Sequence, residues 1–416
     1  MKLKTILKDP FNFLLGIMFI FFAFAFILDT PTNILNGMIE IIQSPDVLIT
    51  DYFFIGGVGA TFVNAAFVGV ISIVLLKVFK AEKNGAGILA VWMMAGYSFF
   101  GKNILNVLPI IFGGYLYSLY QKKPFKNYII VIFLSTALSP AVTQVMFFGY
   151  PTTMSVFLAI LLGLIIGFVI CPISAFTMKA HAGYNMYNVG FSAGLVSLFL
   201  SAVFRNRGHA LEPMAKWSTG YNTILIVFML TISIALLLGG IFLTEEKKIK
   251  KFNIKEYIKN CKTIEDKYAK YGERTYINTG IISLIGTSSV LILGGELNGP
   301  IVGGIFTIIA FACLGKNPLN ILPPMIGVSI AVLSHGWNLS DSRTLLAMVL
   351  CTTLAPISSR IGVFWGVVAG VLHLNIAVRL AEMNSGLSLY NNGLAGGMVA
   401  IILVPVIFAL KRQDVK

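Results

Sequence analysis

The stretch "GKNILNVLP" beginning at Gly101 returns as "GKNPLNILP" beginning at Gly315, and the match runs far beyond these nine residues. Residues 62–113 align with 276–327 without a gap, carrying Asn64 onto Asn278, Glu82 onto Glu296 and Asn84-Gly85 onto Asn298-Gly299. Further along, "STALSP" from Ser135 faces "TTLAP" from Thr352, and "GYNMYNVGFSAGLV" from Gly183 faces "GLSLYNNGLAGGMV" from Gly386. A duplication of this length means two halves with the same local fold. They are residues 1–204 and 221–416, joined by a connector at 205–220.

The medium follows from the apolar residues, which lie in long runs rather than in stripes. Of 416 residues 57% are hydrophobic and only 12% charged, too little charge to cover a water-soluble enzyme. Runs of about 20 apolar residues cross a bilayer as helices. The start, "MKLKTILKDPFNFLLGIMFIFFAFAFILDT", has a long apolar run and no A-x-A cleavage pattern after it, so it reads as a first span and not as a leader peptide. The net charge of +14 comes from lysines gathered in loops beside spans, which topology explains without nucleic acid.

Orientation is set by those lysines. The N-terminus (Lys2, Lys4, Lys8), the Lys-rich segment 244–275 and the C-terminus (Lys411, Arg412, Lys416) are expected on the cytoplasmic side. The first-half counterpart of segment 244–275 is 30–61, with three acids and no Lys or Arg, and belongs outside. Equivalent loops on opposite sides make the halves inverted repeats. Each half should hold about five full spans plus short broken or re-entrant helices. The short segments 86–100 and 104–120 meet at Gly101-Lys102-Asn103, and 299–314 and 319–334 meet at Gly315-Lys316-Asn317-Pro318. Short segments interrupted by Gly and Pro at matching places in inverted halves point to a transporter's central site.

The candidate site follows from this. Positive-inside bias explains a lysine in one inverted half but not its mirror, so Lys102 and Lys316 are expected either near the bilayer midplane, where charge is costly and usually functional, or as structural lysines reaching outward along their own stems. With half-helix N-termini beside them they would favour an anionic or acceptor-rich solute. Asn103, Asn106, Asn317 and Asn320 either pair backbone groups freed at the breaks or coordinate the solute. Tyr187-Asn188 with Gly190, and Tyr390-Asn391 with Gly393, either allow close helix packing or line the path. Hydroxyls before Pro140 and Pro356 re-satisfy carbonyls, and Glu82 and Glu296 stand where helix N-caps would fall.

Catalytic patterns are missing from the sequence. His181, His209, His335 and His373 show no repeat symmetry and no HExxH context, and no GxSxG or P-loop occurs. Cys171, Cys261, Cys313 and Cys351 lack CxxC or metal spacing and read as structural. No enzyme activity, cofactor or metal is expected.

The twin GKN-x-LN-x-LP elements make the whole chain resemble an uncharacterised family of bacterial polytopic membrane proteins known only as a domain of unknown function. In layout it is similar to the urea transporter superfamily, on Asn317-Pro318-Leu319, Tyr390-Asn391 with Gly393, and Tyr187-Asn188 with Gly190. That resemblance implies inverted halves, a re-entrant pore helix in each, and a trimer. Asn103-Ile104 stands where that superfamily would have proline, and no lysine of it matches Lys102 or Lys316. The reading reached is an all-α polytopic protein of the bacterial inner membrane, moving a small polar solute, a small anion or a urea-like neutral molecule. The competing class is a non-transporting scaffold or subunit of a larger membrane complex.

Overall fold

A chain crossing lipid must satisfy every backbone N–H and C=O from within, which helices do. The computed structural model describes residues 2–46, 49–209, 215–260 and 265–412, and Cys261 lies outside them. Among the described residues the only strand-like pairings are two isolated bridges, Thr50 with Lys216 and Asp51 with Phe100. Eight helices are long and apolar enough to span a membrane. Four belong to the first half, Pro10–Leu28, Gly57–Val78, Thr152–Ala180 and Asn188–Asn206, and four to the second, Asn222–Leu243, Lys267–Ile292, Val363–Met383 and Asn391–Leu410. Their outer faces expose Phe19, Phe157, Phe199, Phe242 and Phe364, a surface suited to lipid and not to water. The protein is an all-helical, multi-pass membrane protein.

Four such helices per half fall short of the expected five. The difference lies in the 127–149 segment, which divides into Ile129–Ser135, a 3-10 turn at Thr136–Leu138, and Ser139–Val145. Its counterpart divides likewise at Cys351–Leu354. Pro140 and Pro356 start the following helices and have no N–H to continue the preceding ones.

The GKN elements are true breaks. Gly85–Gly96 runs through a 3-10 turn to Phe99 before Ile104–Tyr120 begins, and Gly299–Ala312 gives way to Pro318–Ser334. Gly101 and Gly315 reverse the chain at φ +79° and +115°, where a side chain is strained. The caps of the first helix in each pair are Asn84 and Asn298, which accept from Gly87 N and Ile301 N. The acids expected there do not cap: Glu82 instead accepts from Asn84 Nδ2 at 3.0 Å.

The halves interlock through bonds that recur at matching positions. The Gly85–Gly96 helix packs on Gly299–Ala312, and Asn188–Asn206 packs on Asn391–Leu410. Leu389 N donates to Ala137 O at 2.9 Å, and Met186 N to Thr353 O at 3.0 Å. Asp51 accepts from Gly299 N at 3.1 Å, while Asp266 accepts from Gly85 N at 2.8 Å. Each carboxylate thus caps the free first turn of a helix in the other half. Asp266 shares its end of the molecule with ion pairs Asp9–Lys83 at 2.6 Å and Lys8–Glu245 at 3.6 Å. Asp51 lies beyond the other end of the 22-residue Gly57–Val78 helix, roughly 33 Å away along its axis.

Within each half the second broken helix lies against a long span with glycine at the crossing. A Cβ on Gly167 would lie 2.0 Å from Ile110 O, and one on Gly370 2.1 Å from Pro324 O. Gly167→Ala and Gly370→Ala should therefore each destabilise the protein by about 1–3 kcal/mol, read as a lower unfolding midpoint in detergent. Gly16→Ala, with nothing within 4 Å of the added carbon, should leave the midpoint unchanged.

Candidate functional site

Both break lysines are fully buried and turned toward the opposite half. Lys102 Nζ donates to Tyr390 Oη at 3.0 Å and to Met93 O at 3.3 Å, lying 5.3 Å from the Tyr97 ring centre and 5.1 Å from that of Tyr390. Lys316 Nζ donates to Tyr187 Oη and, at 2.8 Å, to Thr352 Oγ1, lying 4.4 Å from the Tyr187 ring centre and 5.2 Å from that of Phe311. Tyr97 and Phe311 occupy equivalent positions in the repeat, as do Tyr390 and Tyr187. Each ammonium therefore sits between an aromatic ring of its own half and a tyrosine of the other. Among the described residues neither lysine has a carboxylate within ion-pair distance. The rings and hydroxyls are what offset the desolvation of each charge.

The backbone that carries each lysine is held from two sides. Asn64 Nδ2 donates to Lys102 O at 2.8 Å, and Asn278 Nδ2 to Lys316 O at 2.7 Å. Asn103 and Asn106 form a capping box on the helix starting at Ile104, and Asn317 and Asn320 form the same box at Pro318. Asn106 and Asn320 also donate to the carbonyls of Gly101 and Gly315, at 3.1 and 3.0 Å. These four asparagines pair freed backbone groups and do not border the cavity between the halves.

That cavity, of about 180 Å³, is bordered by Met93, Tyr97, Tyr187, Phe311, Leu350 and Tyr390. The first turns of two helices open onto it, at Asn188 and Val189 on one side and Asn392 and Gly393 on the other. Neither helix has a side-chain cap, so their leading N–H groups and positive dipole ends face this space. Asn188 is saturated, accepting from Thr177 and pairing with His181 while donating to Ser174. Asn391 points away, accepting from Asn384. Its neighbour Asn392, paired through Oδ1 with His373 Nε2 at 2.9 Å, borders the cavity in its place. A second cavity of about 230 Å³ shares Ala86 and Ile130 with the first and is edged by Glu82, Asn84 and Lys126.

The sequence reading missed Asp46. This buried carboxylate accepts from Tyr52 Oη at 2.6 Å, Thr143 Oγ1 at 2.8 Å, Asn106 Nδ2 at 2.9 Å and Asn103 Nδ2 at 3.2 Å. It ties the segment between two helices, outside the spans, to the capping box beside Lys102. No repeat partner marks it, because neither Asn260 nor Cys261, the residues that fall opposite it, is an acid. Asp51 is a second such acid, accepting from Ser218 and from Gly299 N.

The DUF1576 family, described as a protein of unknown function, matches residues 30–206 and 247–409. The chain belongs to this family. No curated protein and no solved structure matches it, so the layout likeness to urea transporters finds no support there. In this DUF1576 protein, burial pushes the carboxyls of Asp46 and Asp51 up to about 6, against the pull of their donors. A native carboxyl above its unfolded value of 3.8 holds protons that the unfolded chain has released, so stability falls as pH rises from about 4 to about 6. For Asp46 that fall is on the order of 3 kcal/mol. Thermal unfolding in detergent across this window should show a shallower pH slope in Asp46→Asn than in the wild type.

Proposed function

We propose that this protein is a transporter or channel for a small anion, with its path between two halves inserted in opposite orientations. The observation that carries the reading is the reciprocal pair of buried lysines, without carboxylate partners among the described residues, set beside a cavity onto which two uncapped helix N-termini open. Four sources of positive potential around one space, with no Asp or Glu among the residues bordering it, favour an anion entering it. A structural lysine would more cheaply be paired or replaced by an apolar residue.

Two observations support inversion. The cross-half bonds of the two lysines, the two capping aspartates and the Leu389–Ala137 and Met186–Thr353 pairs are reciprocal, as a two-fold axis requires. Charge also alternates: Lys77, Lys80, Lys83, Lys122, Lys123 and Lys126 have no Lys or Arg at their equivalents near 291–297 and 334–341, while segment 244–275 is Lys-rich and 30–61 is not. An axis in the membrane plane accounts for both. A membrane-impermeant thiol reagent applied to intact cells should label a cysteine introduced at Ile39 and spare one at Lys255.

The transport test is flux into proteoliposomes above that into protein-free vesicles, for formate and for urea. Formate flux should fall about tenfold or more in a Lys102→Ala/Lys316→Ala double variant, the cost of losing charged hydrogen-bond donors. Urea flux that ignores the substitution would assign the path to a neutral solute. No flux of either kind, with the variant as stable as the wild type, would favour the scaffold.

A further inference from the structure

Two side-chain donors without an acceptor among the described residues border the cavity at the start of the Asn391–Leu410 helix. Tyr390 Oη accepts from Lys102, and its own hydrogen has no acceptor among the described residues. Asn392 uses Oδ1 on His373, and its Nδ2 has no partner among the described residues. Both belong to the first turn of the Asn391–Leu410 helix and both border the cavity. The Lys102 ammonium polarises the phenol it bonds and makes it a stronger donor. Most of the remaining wall is apolar, with Leu89, Met93, Val131, Leu134, Met178 and Leu350 in it. A round polyatomic anion such as phosphate would leave most of its oxygens against hydrocarbon, which is costly.

We infer that the solute is a short-chain carboxylate, its two oxygens taking the free donors of Tyr390 and Asn392 and its alkyl tail filling the apolar remainder of the cavity. This rests on the anion reading above and narrows it. About 180 Å³ holds about six water-sized groups at roughly 30 Å³ each. That is the heavy-atom count of a four-carbon carboxylate.

The test is equilibrium binding by calorimetry to the purified full chain in detergent, using straight-chain carboxylates of one to eight carbons, with nitrate and urea beside them. Affinity should rise about fourfold per methylene up to about four carbons and fall beyond about six, with nitrate no tighter than formate. Leu89→Phe, which fills the cavity, should move the best length down, and Leu350→Ala should move it up. The two variants act in opposite directions, so a folding failure in one leaves the other decisive. Formate and nitrate binding as tightly as butyrate would overturn the tail and leave the anion reading standing. Urea binding with no anion binding would overturn both. Affinity still rising at eight carbons would mean partition into apolar surface and would overturn the cavity assignment.

Discussion

Every broken helix in an apolar setting frees backbone groups that lipid cannot satisfy, and the architecture turns on how those groups are met. Each GKN break is closed by asparagines of its own half, while other freed groups are met from across the divide. Asp51 and Asp266 cap helices across the divide, and Leu389 and Met186 reach over to carbonyls beside Pro140 and Pro356. Neither half is self-sufficient. The polar requirement of one is written into the loops of the other, which sets each GKN break beside the start of the opposite half's first broken helix, Phe99 and Asp51 against Gly299 and Cys313 and Asp266 against Gly85.

Among the described residues the two buried lysines have no carboxylate partner. An ammonium between two aromatic rings gains about 2 kcal/mol or more when desolvated, and a phenol oxygen adds a charge-assisted bond. Those terms soften the cost of burial without cancelling the charge. A full salt bridge would have neutralised the site.

Much of this was legible in the sequence, because duplication doubles every signal. The breaks could be read from Gly101 and Gly315 with their Lys-Asn neighbours, since glycine at positive φ followed by an asparagine cap is a local affair. The lysines stood out for the same reason. Their partners did not, because nothing in the spacing of Tyr187 or Tyr390 tells which half's lysine each will meet. Asp46 escaped because it has no repeat mate, and its role depends on donors up to 97 residues away. Asn391 and Asn392 are adjacent, and a helix start 100° out of register decides which of them faces the cavity. The span count was off where a proline-marked 3-10 turn interrupts an apolar run that composition alone reads as continuous.

The cross-half backbone bonds also bear on how the protein is made. The carbonyl of Ala137 receives its donor from Leu389, and Gly85 N its carboxylate from Asp266. A ribosome delivers these acceptors and donors far apart in time, so the first half must wait in the bilayer with Ala137 O lacking its Leu389 donor until nearly the last span has been inserted. A nascent chain stalled before residue 389 would hold a core that is wet and open to quality-control proteases. The duplication that makes the centre symmetric thus postpones its completion to the end of synthesis.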